Sequence, residues 1–138
     1  MIDSRLISDL HPVVAAKATA FLAACKAQGI DVLITSTYRD ASKQDALYAQ
    51  GRTTPGDIVT KLRGGQSMHN FKCAFDFVPK KGSTLQWGDL ALWKRCGAIA
   101  ESVGLEWGGN WTSFVDRPHC QYTGGLTLAD LRAGKKIV

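Results

Sequence analysis

The sequence predicts an α+β fold: one small domain in which a short, mostly antiparallel sheet carries helices packed against it. Three observations lead there. At 138 residues and 45% hydrophobic content the chain suits one domain and can form a core unaided. Helix-start and helix-stop residues bracket several segments, and short β-like apolar runs fall between them. No repeat, linker or low-complexity stretch divides the chain.

The elements follow in order. Pro12 stands at a favoured first helical position, and the apolar-rich run from Val13 to Gln28 ends at Gly29. Val32, Leu33 and Ile34 mark a buried strand within residues 31–35. Asp40 caps a second helix running to Gln50, with Gly51 as its stop. Residues 51–65, with Pro55, Gly56, Gly64 and Gly65, read as loop. A strand over residues 73–78 turns Ala74, Asp76 and Val78 to one face. Asp89 caps a helix through Val103, stopped by Gly104. Short extended pieces fall at residues 105–107 and 115–122, and Thr127 caps a brief last helix.

Composition narrows the function classes. No apolar run reaches the roughly 18 residues of a membrane-spanning helix. The N-terminus lacks a signal-peptide pattern, so synthesis in a cytoplasm is expected. The net charge of +5 favours polyanions, but the basic residues are scattered and no basic–aromatic motif accompanies them. That makes nucleic acid a distant option and leaves an anionic envelope as the better partner. Cys25, Cys73, Cys96 and Cys120 form no CxxC pair and are expected to be free, buried thiols. Cys120 follows His119 directly, so on a strand it faces the opposite way.

His69, Asp76 and His119 form a three-ligand set suited to catalytic zinc. Imidazole nitrogen and carboxylate oxygen are ordinary zinc donors, and a catalytic ion keeps its fourth position for water. Such water ionises near pH ~7 instead of ~15.7. Asp116, three residues before His119, is a spare carboxylate able to take that water's proton. A His beside an acid is equally a hydrogen-bonded pair, and spacing alone leaves both readings open. His69 and Asp76 are seven apart, an odd spacing that flips the side chain on a regular strand, so His69 belongs to the preceding loop or a bulge intervenes. His11 has no acid in a ligand arrangement and reads as a helix-start residue. Gln44 and Tyr48, one helical turn apart, are cleft candidates, as are Trp107 and Trp111 around a glycine turn. Glu106 is a competing base outside the Asp116–His119 run.

The flanks carry a resemblance. Ser67 to Asp76 resembles the S-x-H-x-x-G-x-A-x-D motif of the VanY and D-alanyl-D-alanine carboxypeptidase-like zinc peptidases. Asp116-Arg117-Pro118-His119 is similar to that family's second motif, and Ser36-Thr37-Tyr38-Arg39 to its substrate-binding S-x-Y-R element. The likeness spans nearly the whole chain and is nearest to the small L-alanyl-D-glutamate endopeptidases of phages and bacterial walls. It implies a DD-peptidase/Hedgehog-like fold with zinc on the sheet, held by His69, Asp76 and His119, and Asp116 as general base. Arg39, exposed in the cleft, would hold a stem-peptide carboxylate, that of D-glutamate; a surface ion pair with Asp40 or Asp45 is its other reading. Ser67 would donate a hydrogen bond to substrate or fix the loop.

The implied reaction is hydrolysis of the L-Ala–D-Glu bond of peptidoglycan by a phage or prophage endolysin. A D,D- or L,D-carboxypeptidase and a noncatalytic wall-binding module are the alternatives. The expected enzyme is a monomer whose residues 1–138 are one catalytic domain without a wall-binding domain, released to the periplasmic wall by another factor. One position departs from the motif: Lys72 stands where the family has Gly. Its backbone is expected in an ordinary region, with a cleft-facing Lys72 touching anionic wall polymer as the second reading.

Overall fold

The computed structural model describes residues 1–138. Helix α1 (Pro12–Ala27) begins at His11, whose Nδ1 accepts the Val13 N–H at 3.2 Å, so that histidine is a cap and not a ligand. Strand β1 (Asp31–Ser36) follows. Helix α2 (Ala41–Ala49) starts under the Asp40 carboxylate, which accepts the Lys43 N–H at 2.8 Å. A long loop leads to a 3-10 turn (Met68–Phe71) and then to β2 (Ala74–Lys81), the central strand. A two-residue β3 (Thr84–Leu85) pairs back onto it, a hairpin the sequence did not signal. Helix α3 (Leu90–Ser102) is capped by Asp89, β4 is Glu106–Trp107, β5 is His119–Gln121, and α4 (Leu128–Arg132) carries a capping box from Thr127 and Asp130.

The sheet order is β1-β2-β5-β4, with β3 on β2, and every pairing is antiparallel. One face packs on α1 and α3. Phe75 and Phe77 of β2 meet Phe21 of α1 at ring separations of 5.9 and 4.9 Å, and Phe77 meets Trp93 of α3 at 5.3 Å. Alternation along β2 then sends Asp76 to the opposite face. Cys120 joins the core while His119, its neighbour, does not follow it there. All four cysteines are buried and free; burial pushes the Cys73 thiol up to about 11, far from a reactive thiolate.

Lys72 corrects the expectation of ordinary backbone. Its φ of 62° and ψ of 25° are left-handed, the conformation that Gly adopts without a Cβ penalty. The turn therefore keeps the geometry of a glycine while carrying a lysine. Nor does Lys72 face the cleft: its ammonium lies 5.0 Å from the Tyr38 ring, beside a separate hollow.

Candidate active site

Register builds the site. Asp76 of β2 pairs directly with His119 of β5, which puts both side chains on the face away from the helices. Across β2, Ser36 is also opposite Asp76, after a register shift between Ile34 and Ser36 that carries β1 toward Arg39. His69 arrives from the 3-10 turn, so the odd spacing from Asp76 is met by a loop residue, as expected.

The ligand atoms of His69, Asp76 and His119 all lie within 4.8 Å of one another. His69 Nε2 is 3.2 Å and His119 Nδ1 3.6 Å from the same oxygen, Asp76 Oδ1. The far nitrogens are engaged elsewhere: His69 Nδ1 with the Thr37 carbonyl at 2.8 Å, and His119 Nε2 with the Gln121 amide oxygen at 2.7 Å. Both partners are acceptors, so each outer nitrogen carries the proton and each inner one offers a lone pair. Two lone pairs and a carboxylate oxygen converging in a largely buried space repel one another unless a cation or proton lies between them. That donor set fits zinc in type, number and closeness.

The electrostatics agree. Burial works against the Asp76 charge, but the two imidazoles outweigh it and hold the carboxyl well below the usual carboxylate range. Burial likewise opposes a charged His119, yet its hydrogen bond and attraction to Asp76 raise its pKa on balance. Asp116 stands at the rim, its side chain 47% exposed and Oδ2 3.9 Å from His119 Nδ1. Burial in the cleft wall pushes its carboxyl above the ordinary value, against the pull of His119. Its loop is held by Gly108, whose carbonyl accepts the Asp116 N–H at 3.0 Å. A Cβ on Gly108 would lie 2.4 Å from the Asp116 carbonyl oxygen, so only glycine fits there.

A cleft of about 530 Å³ opens over these groups, lined among others by Arg39, Gln44, Ser67, Trp111 and Asp116. Arg39 differs from the expectation of an exposed residue paired with Asp40 or Asp45. Its side chain is 13% exposed, with Nε 3.6 Å from Asp3 and Nη2 3.7 Å from Asp76 Oδ2. Nη1 donates to Gln44 and Nη2 to Ser36, both at 3.1 Å. Gln44 is thus buried support: it also donates to the Leu62 carbonyl at 2.8 Å and ties the long loop to Arg39. Ser67 lines the cleft, but its Oγ accepts the His69 N–H at 3.3 Å and caps the 3-10 turn. Tyr48 lies off the cleft, stacked under Arg52 and Arg63.

Trp107 is a correction. It is 5% exposed, packs over Gly97 in the core, and donates to the Arg117 carbonyl at 2.7 Å, so it walls no cleft. Trp111 takes that place, its ring 5.1 Å from His119 and its Nε1 bonded to Glu106 at 2.8 Å. Glu106 is thereby occupied and lies outside the cleft. Sequence reasoning missed Gln121, Asp3 and Asn70. Asn70 Oδ1 accepts from Gly65 and Ser67 while Nδ2 donates to the Arg39 carbonyl, locking two motif segments together. The Ser67-x-x-Asn70 spacing was its signal, a capping box in miniature.

Comparison with known proteins agrees with this geometry. The family described as D-alanyl-D-alanine carboxypeptidase matches residues 60–122, which contain all three ligand candidates and Asp116. The peptidoglycan L-alanyl-D-glutamate endopeptidase CwlK of Bacillus subtilis is 43% identical over 128 residues, covering 86% of this chain and 77% of that protein. The L-alanyl-D-glutamate peptidase of Listeria phage A118 is 37% identical over 99 residues, or 70% of this chain, but the match spans only 32% of the phage protein. In fold, the chain resembles the vancomycin-resistance D,D-pentapeptidase VanY in complex with Zn(II), with a TM-score of 0.63 at 15% identity over 99% of this chain and 86% of that one. With two imidazoles and a carboxylate gathered as such an ion requires, the chain belongs to the D-alanyl-D-alanine carboxypeptidase-like family of zinc peptidases.

Proposed function

We propose that this protein is a zinc-dependent endopeptidase that cleaves the L-Ala–D-Glu bond of the peptidoglycan stem peptide. The observation that carries the reading is the cleft in which Asp116 and Arg39 flank the His69–Asp76–His119 cluster. That gives a base on one side of a metal site and a carboxylate-binding cation on the other. The bond assignment is supported by the two L-alanyl-D-glutamate peptidases it resembles. Residues 1–138 act in this reading as one monomeric catalytic unit.

His69, Asp76 and His119 would hold the zinc, which when bound supplies a Lewis acid that acidifies water and polarises the scissile carbonyl. Asp116 accepts a proton from the attacking water. As the new C–O bond replaces the C–N bond, Asp116 returns that proton to the departing amine of D-Glu. Arg39, already fixed by Ser36 and Gln44, presents its remaining donor capacity to the D-Glu α-carboxylate. Ser67 positions His69 and lines the path of the peptide backbone. Trp111 shields the site from water on the His119 side.

The phage relative supports a role in host lysis, with the enzyme acting on the wall once another factor admits it. No helix is long and apolar enough to cross a membrane. The net charge of +5 suits an anionic envelope. Mass spectrometry of sacculus digests, with and without a chelator, tests the proposal. New N-terminal D-Glu that disappears with chelator is the expected result. Release of free D-Ala instead would make the enzyme a carboxypeptidase, and intact muropeptides throughout would make it a binding module.

A further inference from the structure

Beyond Asp116 the cleft does not end. A second hollow of about 560 Å³ continues from it, sharing Val59, Thr60, Leu62, Trp111 and Asp116 with the first but not lined by Arg39. Its walls come from two loops: Ile58, Val59 and Lys61 on one, Phe114 and Val115 on the other. Ile58 and Val59 are each 58% exposed, Phe114 66% and Val115 50%. A contiguous apolar patch of this kind, opening into a catalytic cleft, marks a binding surface. Phe114 also has a φ of 55°, a costly conformation for a residue with a bulky side chain, and one face of its ring is covered by the Lys61 ammonium at 3.6 Å. Strain held at a site's edge points to use, since nothing in the core requires this ring to stand there.

We propose that this hollow is a subsite for the saccharide end of the substrate, the N-acetylated, lactyl-bearing sugar to which the stem peptide's L-Ala is attached. The inference rests on the endopeptidase reading, because that reading sets the direction of the chain. With the D-Glu carboxylate at Arg39 and the scissile bond at the metal cluster, L-Ala and its sugar leave the cleft past Asp116 and Trp111. The occupant's chemistry matches the walls. Lactyl and N-acetyl methyl groups suit Ile58, Val59 and Val115, while an aromatic ring offers its face to the apolar C–H surface of a pyranose. Lys61 adds a cation where the glycan's polar rim would lie. The sugar therefore contributes specificity for wall-linked stems over free peptides.

Two measurements with the zinc-loaded protein test this. First, N-acetylmuramyl-L-alanine, which lacks D-Glu, is titrated while Trp111 and its neighbours are followed by NMR. Saturable shifts at Phe114 and Val115 are expected, with affinity reduced about tenfold in Phe114→Ser, the loss expected when one aromatic contact leaves a small site. Second, kcat/KM is compared for a muropeptide and for the same stem peptide without sugar. The wild type should prefer the sugar-bearing substrate, and Phe114→Ser and Ile58→Ser should lose about tenfold on it but less than about twofold on the free peptide. Equal losses on both substrates, or no shifts with the sugar fragment, overturn the subsite while leaving the endopeptidase standing. Shifts with bare lipid vesicles but not with the fragment would assign the patch to a membrane and also overturn it. Failure to cleave either substrate overturns the endopeptidase reading itself, a result distinct from the others.

Discussion

The Gln121 amide oxygen lies 2.7 Å from His119 Nε2, which leaves Nδ1 as the ring atom turned toward Asp76. One uncharged side chain two residues along β5 thus selects the tautomer of a proposed metal ligand. Gln121→Ala should weaken zinc binding by about 10–100-fold without unfolding the domain. Competition against a chromogenic chelator measures this; unchanged affinity would remove Gln121 from the site's support. His119→Ala removes the ligand itself and should abolish stoichiometric zinc and lytic activity together.

The raised pKa of His119 sets a pH dependence. An imidazolium cannot ligate, so proton competition is strong below the folded-state pKa and fades above it. Zinc affinity should therefore begin to fall at a higher pH than an ordinary histidine dictates, by about tenfold per unit once the proton is bound. The metal-free protein behaves oppositely. A raised His pKa adds stability that is fully present below the unfolded value of about 6.5 and is lost as pH rises through the folded one. Thermal melts of the two forms between about pH 5 and 8 should slope in opposite directions.

Asp116→Asn keeps size and hydrogen bonding but cannot take a proton at neutral pH. Turnover should drop by at least about a hundredfold, within the usual range for a general base. Zinc content and melting temperature should stay near wild type, because the side chain stands half exposed at the rim. Loss of zinc in this variant would make Asp116 a ligand.

Arg39→Lys retains charge and loses the planar fork, so kcat/KM on muropeptides should fall markedly. The structure adds a stability cost. Lysine cannot reach Gln44, Ser36, Asp3 and Asp76 together, and Gln44 is buried, so about 1–3 kcal/mol of stability should go with the hydrogen bonds. Urea denaturation measures it. Wild-type stability and kinetics in both Arg39→Lys and Arg39→Ala would rule out both roles.

Lys72→Gly should stabilise the protein by up to about 1 kcal/mol, since it relieves a left-handed residue whose Cβ is unfavourable. Lys72→Ala keeps the Cβ and should gain nothing. A destabilised glycine variant would show that the contact of Lys72 with Tyr38 outweighs the backbone term.

Legibility followed the range of the interactions. Asp40, Asp89 and Thr127 announced their helices because a cap and the N–H it receives are only three residues apart. The Met68–Phe71 turn does carry such a signal, the Ser67-x-x-Asn70 box, that went unread, while the Thr84–Leu85 strand carries no comparable local signal and was not foreseen. Arg39 was misjudged for the same reason: its burial depends on Asp3, bound in turn to Ser36, 33 residues away. Trp107 and Trp111 looked alike as two aromatics around a glycine turn. Packing over Gly97 sent one inward and left the other beside His119.

By itself the sequence determined the chemistry: two histidines and an aspartate in order, a spare acid three residues from one of them, and an arginine on an earlier segment. Donor type is a property of the residue and survives any uncertainty about the chain's path. The tertiary structure decided which nitrogens face inward, which tryptophan meets the cleft, what holds Arg39, and that Lys72 adopts a glycine's backbone. Those outcomes depend on cross-strand register and on contacts between residues tens of positions apart, whose energies exist only once the sheet has paired.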